Sequence, residues 1–154
     1  MQSSCPHYIN ILLSPHPRLQ LALVIVMPGL QSATSSTCPV FHLPGRDWFY
    51  LLGPQNSSAR NLVFGLAEFP GGTLAAAHVH AAEEEIIYIL SGVGAILAED
   101  GDEHQELHLE PGVAIFIPPG LTHQIRVDGD EPLKLVTLFS PPVRPGAYDP
   151  QGKA

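Results

Sequence analysis

Three histidines and one glutamate have residue types and spacing that suit a metal site. His78 and His80 stand two positions apart, and side chains two apart on a β-strand project from the same face. Two imidazoles on one face can chelate a divalent metal ion, although strand histidines also serve as ordinary hydrogen-bonded polar groups. The His-x-His pair alone is therefore a weak indication of a metal site.

Glu85 and His123 add the donors that this pair lacks. Glu85 comes five residues after His80 and directly precedes an apolar run at 86–90. A carboxylate at the mouth of a buried strand needs a partner, because burying an unpaired charge is strongly unfavourable. His123 follows a Pro-Pro-Gly turn and begins another strand-like segment. Three imidazoles and a carboxylate that converge on one enclosed space would be compensated by a divalent cation.

The elements that must position these side chains are short strands. Fourteen Gly and sixteen Pro in a chain that is 45% hydrophobic favour short elements joined by tight turns. Apolar or alternating runs recur every 8–12 residues or so, as in sandwiches and barrels, and Asp100-Gly101 predicts a hairpin turn. The sequence therefore predicts an all-β fold, with strands at 48–52, 61–69, 73–79, 85–90, 93–99, 106–109, 113–117, 122–127 and 133–139.

The length of 154 residues fits one domain. A Ser/Thr-rich stretch at 32–37 separates the first part of the chain from the patterned region. We expect an N-terminal extension at 1–39, a β-barrel domain at 40–142 and a C-terminal tail at 143–154.

The first group of these residues resembles the first signature motif of the cupin superfamily. That motif is written G-x5-H-x-H-x(3,4)-E-x6-G. Every spacing is matched here, by Gly72, His78, His80, Glu85 and Gly92.

The second group resembles the second cupin motif, written G-x5-P-x-G-x2-H-x3-N. It reads Gly112, Pro118, Gly120 and His123, with Val127 where the family has Asn. The departure lies outside the expected ligand set, so it bears on a hydrogen bond near the turn and leaves the metal site intact.

The resemblance implies a fold and a ligand set. Cupins fold as a double-stranded β-helix, a jelly-roll β-barrel. Carried over by position, the ligands of one divalent metal ion per chain are His78, His80, Glu85 and His123. Fe or Mn is favoured for mixed imidazole and carboxylate ligation, and Zn, Ni and Co are compatible. The resemblance also implies a homodimer.

The expected lining of the barrel limits the reaction. Strand alternation turns Ile87, Ile89, Ile125 and Val127 inward with Glu85 and His123, and it places Leu74 and Ala76 on the face of His78 and His80. No Lys or Arg joins this set, and no second acid or base does. We therefore expect the metal itself to act, in an oxidoreductase resembling cupin dioxygenases that takes a small organic molecule. A non-catalytic ligand-binding or sensing cupin, and a cupin lyase or isomerase, remain alternatives.

Charge and composition exclude other classes of partner. The formal net charge is −8 and the seven basic residues are scattered singly, so nucleic acid is not an expected partner. The apolar segment at 19–30 is shorter than the roughly 20 residues that cross a bilayer. We expect a cytoplasmic protein, with a signal peptide in this segment as the alternative. Cys5 and Cys38 form no CxxC pair, and nothing in the sequence supports a disulfide between them.

Overall fold

The structure is a computed structural model that describes residues 29–144. Within that range the chain forms nine strands and no helix, so the predicted all-β class is confirmed. The strands are β1 (Val40–Leu43), β2 (Arg46–Leu52), β3 (Val63–Phe69), β4 (Glu84–Ser91), β5 (Gly94–Asp100), β6 (Glu103–Leu109), β7 (Ala114–Ile117), β8 (Thr122–Val127) and β9 (Leu133–Ser140).

The strands form two antiparallel sheets that face each other as a jelly roll. The larger sheet has the order β1-β2-β3-β9-β4-β7, and the smaller has the order β6-β5-β8. The segment at 73–80 runs along the free side of β8 and is joined to it by the isolated bridges Leu74–Arg126 and His78–His123. This segment extends the smaller sheet and, with β8, closes one side of the barrel.

The core lies between the sheets because the strands alternate as their sequences predict. In β3 and β9 every second side chain is buried, and the side chains between them are partly exposed. Burying the apolar set removes it from water, which is the main favourable contribution to folding. The buried apolar cluster comprises Trp48, Tyr50, Val63, Ala67, Phe69, Ala75, Ile87, Ile89, Ile96, Leu109, Ile117, Ile125, Val127, Leu133, Leu135 and Phe139.

The segment at 73–80 differs from the expected strand. Ala75 is 2% exposed and Leu74 is 60% exposed, whereas His78 and His80 are both buried. The buried positions thus change from odd to even numbers between residues 75 and 78. The prediction that Leu74 and Ala76 share a face with the two histidines is therefore wrong, because strict alternation holds only along a continuous ladder and this segment has only isolated bridges.

The predicted hairpin exists, with its turn moved by one residue. Asp100 pairs with Glu103, so the two loop residues are Gly101 and Asp102. Only Gly101 has a positive φ, +60°. Asp100 is the last residue of β5 and lies outside the turn that its dipeptide predicted.

The glycines of the two motifs shape the corners next to the ligand-bearing segments. All four, Gly72, Gly92, Gly112 and Gly120, have positive φ angles. At Gly92, which follows β4, a Cβ atom would lie 2.7 Å from the Cα of Leu133. No other residue type fits that corner without moving backbone, because φ is +84° there and the neighbouring chain is in contact.

Part of the predicted N-terminal extension lies against the barrel. The carbonyl of Pro39 accepts a hydrogen bond from the backbone N–H of Tyr50 at 2.9 Å. Gln31 Oε1 accepts from the backbone N–H and the hydroxyl of Ser58 at 2.7 and 2.8 Å. The domain boundary at residue 40 stays a prediction. Cys5, most of the 19–30 segment and the tail from residue 145 lie outside the described residues. Among residues 29–144, no helix is long and apolar enough to span a membrane.

Candidate metal centre

The four side chains that the sequence singles out converge inside the barrel. The ligand atoms of His78, His80 and His123 all lie within 4.8 Å of one another. Glu85 reaches them from the facing sheet, with Oε2 at 3.5 Å from His80 Nε2 and 3.4 Å from His123 Nε2. All four residues are buried, at 3–7% exposure. The geometry thus brings together residues up to 45 positions apart in the chain.

Backbone hydrogen bonds hold the three histidines next to one another. His78 and His123 exchange N–H···O=C bonds, each 2.9 Å long, and the segment at 73–80 makes two further backbone bonds to β8. The N–H of Gly120 donates to the carbonyl of His80 at 2.8 Å. The Pro-Pro-Gly turn of the second motif therefore contacts the His-x-His stretch of the first directly.

Glu85 is fixed by a different sheet. It is the second residue of β4, where it pairs with Ile117 of β7 on one side and with Phe139 of β9 on the other. A strand that is paired on both sides has little freedom, so the carboxylate is directed across the barrel from a rigid base.

Two of the histidines are oriented by carbonyl groups of their own segments. Nδ1 of His78 donates to the carbonyl of Ala76 at 3.2 Å, and Nδ1 of His123 donates to the carbonyl of Leu121 at 3.0 Å. Since a carbonyl can only accept, the proton of each neutral ring lies on Nδ1 and the lone pair lies on Nε2. Metal-binding histidines usually have this arrangement, with the second nitrogen donating to a carbonyl or carboxylate.

Three buried polar atoms at the centre have no hydrogen-bond partner: His80 Nδ1, His80 Nε2 and Glu85 Oε2. Leaving a buried polar atom unsatisfied costs about 1–3 kcal/mol, and more for a charged group. The separations of 3.4–3.5 Å between the carboxylate and the imidazoles are longer than good hydrogen bonds. A divalent cation among these atoms would satisfy His80 through one ring nitrogen and Glu85 through its inner oxygen, so the donor set fits a metal ion.

The electrostatics of the site also fit metal ligation. Burial, followed by the charges of His123 and Arg46, lowers the pKa of His78 to about 3. Burial alone would raise the pKa of Glu85, but the facing imidazoles of His123 and His80 outweigh it, so the pKa is lowered to about 2. At neutral pH His78 is therefore uncharged and Glu85 is ionised. Metal ligation requires these protonation states.

The centre opens into a cavity with mostly apolar walls, which holds about 580 Å³ of empty space when its open mouth is included. Phe139 stands edge-on to His80, with ring centroids 5.0 Å apart, and the indole N–H of Trp48 donates to Thr137 Oγ1 at 3.0 Å. Ile87 and Ile125 line the cavity as expected. Ile89 and Val127 face inward but belong to the core. The full lining is Leu43, Arg46, Trp48, Ala67, Phe69, His78, His80, Glu85, Ile87, Ile117, His123, Ile125, Leu135, Thr137, Phe139, Val143 and Arg144.

The expectation that no basic residue joins this lining is wrong. Arg46 opens β2 on the same face as the buried Trp48 and Tyr50, and Arg144 lies at the cavity just after β9. Alternation from Trp48 back to Arg46 is the signal that could have found the first of them. It was missed because the predicted strand began at residue 48. Nothing in the local pattern indicates Arg144, whose position depends on how the chain leaves β9.

Comparison with known proteins identifies relatives of this chain. A family model described as a cupin domain matches residues 65–139. An uncharacterised protein of Methanocaldococcus jannaschii is 34% identical over 73 residues, which are 47% of this chain and 55% of that protein. Acireductone dioxygenase 4 of Arabidopsis thaliana is 35% identical over 63 residues, 40% of this chain and 33% of that protein. The beta-conglycinin alpha' subunit of Glycine max is 32% identical over 71 residues, 46% of this chain and 11% of that protein. The chain thus spans about a tenth to about half of the length of these relatives.

Solved structures share the fold. A predicted oxalate decarboxylase from Thermotoga maritima has a TM-score of 0.60 at 21% identity, covering 70% of this chain and 96% of that one. The oxalate decarboxylase of Lactobacillus farciminis, in a formate complex, has a TM-score of 0.64 at 19% identity, covering 71% of this chain and 33% of that one. At such identities the likeness concerns the fold alone.

Proposed function

Since this chain contains a cupin domain, we propose that it is a metal-dependent oxidoreductase of the dioxygenase-like kind, acting on a small organic molecule. One observation carries the proposal. Three buried imidazoles and a buried carboxylate, with unsatisfied polar atoms among them, face a mostly apolar cavity whose described lining contains no further carboxylate and no Lys, Tyr or Cys. A metal ion held by these donors would supply the reacting group, and the protein would supply its surroundings.

The proposed ligands of one divalent ion per chain are His78, His80, Glu85 and His123. Imidazole and carboxylate donors suit Fe or Mn, and Zn, Ni and Co are compatible with the same set. When bound, the ion would supply Lewis-acid and redox chemistry to a molecule in the cavity. That one relative is named a dioxygenase supports a redox reaction over the alternatives.

The residues around the centre support this choice over a lyase or an isomerase. Among the described lining residues, no carboxylate besides Glu85 and no Lys, Tyr or Cys is available to move a proton. The hydroxyl of Thr137 accepts a hydrogen bond from Trp48, which fixes its oxygen in the wall. The apolar walls exclude water and strengthen electrostatic interactions inside the cavity.

Elemental analysis of natively expressed protein, followed by an oxygen-consumption assay, tests the proposal. The assay uses a panel of β-diketones, flavonols and thiol acids. We expect about one divalent ion per chain and metal-dependent oxygen uptake with at least one class of compound. Saturable spectral shifts without product would establish a non-catalytic binding protein instead. Turnover without oxygen uptake would establish a lyase or isomerase, and either result would overturn the proposal.

A homodimer is also proposed. The outward side of β4 and β7 exposes large apolar side chains: Ile86, Tyr88 and Leu90 are 43–47% exposed, and Phe116 is 56% exposed. Such a patch supports packing against a second copy of the chain. Sedimentation equilibrium should give the mass of two chains, and a monomer at every concentration tested would contradict the proposal. The cytoplasmic location and the exclusion of nucleic acid and membrane as partners stay predictions of the sequence.

A further inference from the structure

Thr137 carries a buried hydroxyl in a cavity wall of mostly apolar side chains. It lies on β9, is 5% exposed and lines the cavity. The two neighbouring side chains on the inner side of the same strand, Leu135 and Phe139, are both apolar and buried. A polar group in such a place requires hydrogen-bond partners, because burial without them is unfavourable.

The hydroxyl of Thr137 accepts one hydrogen bond and has a proton of its own to donate. Nε1 of Trp48 lies 3.0 Å from Oγ1 of Thr137. An indole nitrogen can only donate, so Thr137 is the acceptor and the bond leaves its O–H free to donate. No residue in the described range 29–144 accepts from this O–H. A buried donor in the cavity wall therefore lacks an acceptor from the protein.

This donor lies beside the candidate metal centre, on the same side of the larger sheet. The Cα partner of Thr137 on β4 is Ile87, and Glu85 is the partner of Phe139, two residues further along β9. Thr137 and Glu85 are thus diagonal neighbours on adjacent strands, for which Cα atoms are typically about 7–8 Å apart. A molecule of a few carbon atoms can reach from the hydroxyl to the centre.

We propose that Thr137 donates a hydrogen bond to a carbonyl oxygen of the bound ligand, and that this ligand is a small carbonyl compound with an apolar body. The apolar part of the molecule contacts the cavity walls. The inference rests on the proposed function, which makes this cavity the substrate site, and it adds the class of the substrate and a residue that selects it.

The chemistry of a carbonyl group matches that of the hydroxyl. A carbonyl oxygen needs only a donor, whereas a ligand hydroxyl would bring a proton that requires a further acceptor. The bond from Trp48 fixes the position of Oγ1. That bond also strengthens the O–H as a donor, since linked hydrogen bonds polarise one another. An apolar molecule in the same place would leave the O–H unsatisfied, which is costly in a buried site.

Two probes of nearly the same shape test the inference, because only one of them carries an acceptor. Acetophenone has a carbonyl oxygen where α-methylstyrene has a methylene group. Equilibrium dialysis in the absence of oxygen gives a ketone-to-alkene affinity ratio for each protein. We expect this ratio to fall about threefold to tenfold in Thr137→Val, which keeps the shape of the side chain and loses the hydroxyl. Thr137→Ser is the matched control, because it keeps the hydroxyl and should keep the ratio.

Metal content measured on the same samples separates this inference from the proposed function. A bound metal ion can also favour the ketone, but it does so in wild type and variant alike when samples of equal metal content are compared. Equal ratios in wild type and Thr137→Val would overturn the role of Thr137, and in metal-containing protein they would leave the proposed function standing. A ratio that depends on Thr137 in wild type purified without metal would support the inference and overturn the metal centre.

A second pair of variants covers the case in which Thr137→Val does not fold. Trp48→Phe removes the indole donor, and Trp48→Phe/Thr137→Val removes the donor and its acceptor together. Removing both partners leaves no unpaired buried group between them, so it disturbs folding less than removing the acceptor alone. A lower ketone-to-alkene ratio in the double variant than in Trp48→Phe supports the inference, and equal ratios contradict it.

Discussion

The two halves of the candidate centre are built from different kinds of backbone. His78 and His80 come from the segment at 73–80, which makes only isolated bridges to its neighbour. Glu85 and His123 come from the regular strands β4 and β8. All four side chains are nevertheless buried to nearly the same degree.

The comparison shows that a few backbone hydrogen bonds can position a buried histidine without a regular strand. The carbonyl and N–H groups of His78, and the carbonyl of His80, are hydrogen-bonded at the ligand positions themselves. The regular half is held in addition by strand pairing on both sides of β4. We therefore expect the irregular half to depend on bound metal for its order, and the regular half to keep its structure without metal.

Removing one ligand from each half should have the largest effect. In His80→Ala and in His123→Ala we expect metal content to fall from about one ion per chain to nearly none, while the barrel still folds. Loss of a direct ligand should weaken binding by at least the roughly 10–100-fold typical of lost supporting contacts. His108→Ala, an exposed position on β6, is the control. Full occupancy in both site variants would show that the four-ligand assignment is wrong.

Acid should affect the protein with and without metal in different ways. The pKa of His78 is lowered in the folded state from 6.5 to about 3, so the unfolded chain takes up this proton first as the pH falls. The contribution of His78 to the free energy of unfolding of the metal-free protein is therefore fully present above pH 6.5. Below that pH it declines by at most about 1.4 kcal/mol per pH unit. The lowered pKa of Glu85 acts in the same direction, so that stability declines further as the pH falls below 4.5, the ordinary pKa of a glutamate.

The metal-loaded protein should lose stability more steeply, because protons also compete with the ion for its ligands. Melting temperature measured against pH, with and without a chelator, checks this. Binding to the folded state alone raises stability, so the two curves should be well separated at pH 7.5. Coincident curves at that pH would mean that no metal contributes to the fold.

The regular half should be weakened through its core without loss of metal. Thr137→Val leaves the buried indole N–H of Trp48 without its acceptor, which should lower the free energy of unfolding by about 1–3 kcal/mol. Thr137→Ser keeps the hydroxyl and serves as the control. Urea unfolding and metal analysis give the two readouts. A drop in metal content in Thr137→Val would show that the two halves are not independent.

The smallest effect is expected in hydrogen exchange. Adding metal should slow exchange of the backbone N–H of His78 by about tenfold relative to the N–H groups of β4, because the ion ties the irregular segment to the regular strands. Equal slowing of hydrogen exchange at His78 and in β4 would contradict the proposed difference between the two halves.

Several features of the site could be anticipated from local sequence. Turn residues and alternation located the strands from β2 to β9, and the motif spacing selected the four side chains that the fold brings together. Other features could not be anticipated. The sequence analysis does not predict β1, because a strand of four residues is too short to show a clear alternation. It places Leu74 on the wrong face, because residue spacing does not reveal where a strand ladder is interrupted.

By itself the sequence determined the all-β class, the glycine corners and the set of candidate donors, because each depends on a few neighbouring residues and on the two-residue period of a strand. Only the tertiary structure decided that Gly120 contacts His80 and that Arg46 lies in the wall of the cavity. Both depend on how two sheets stack and on which strands become neighbours. Those are long-range outcomes of packing the whole core, and no local pattern encodes them.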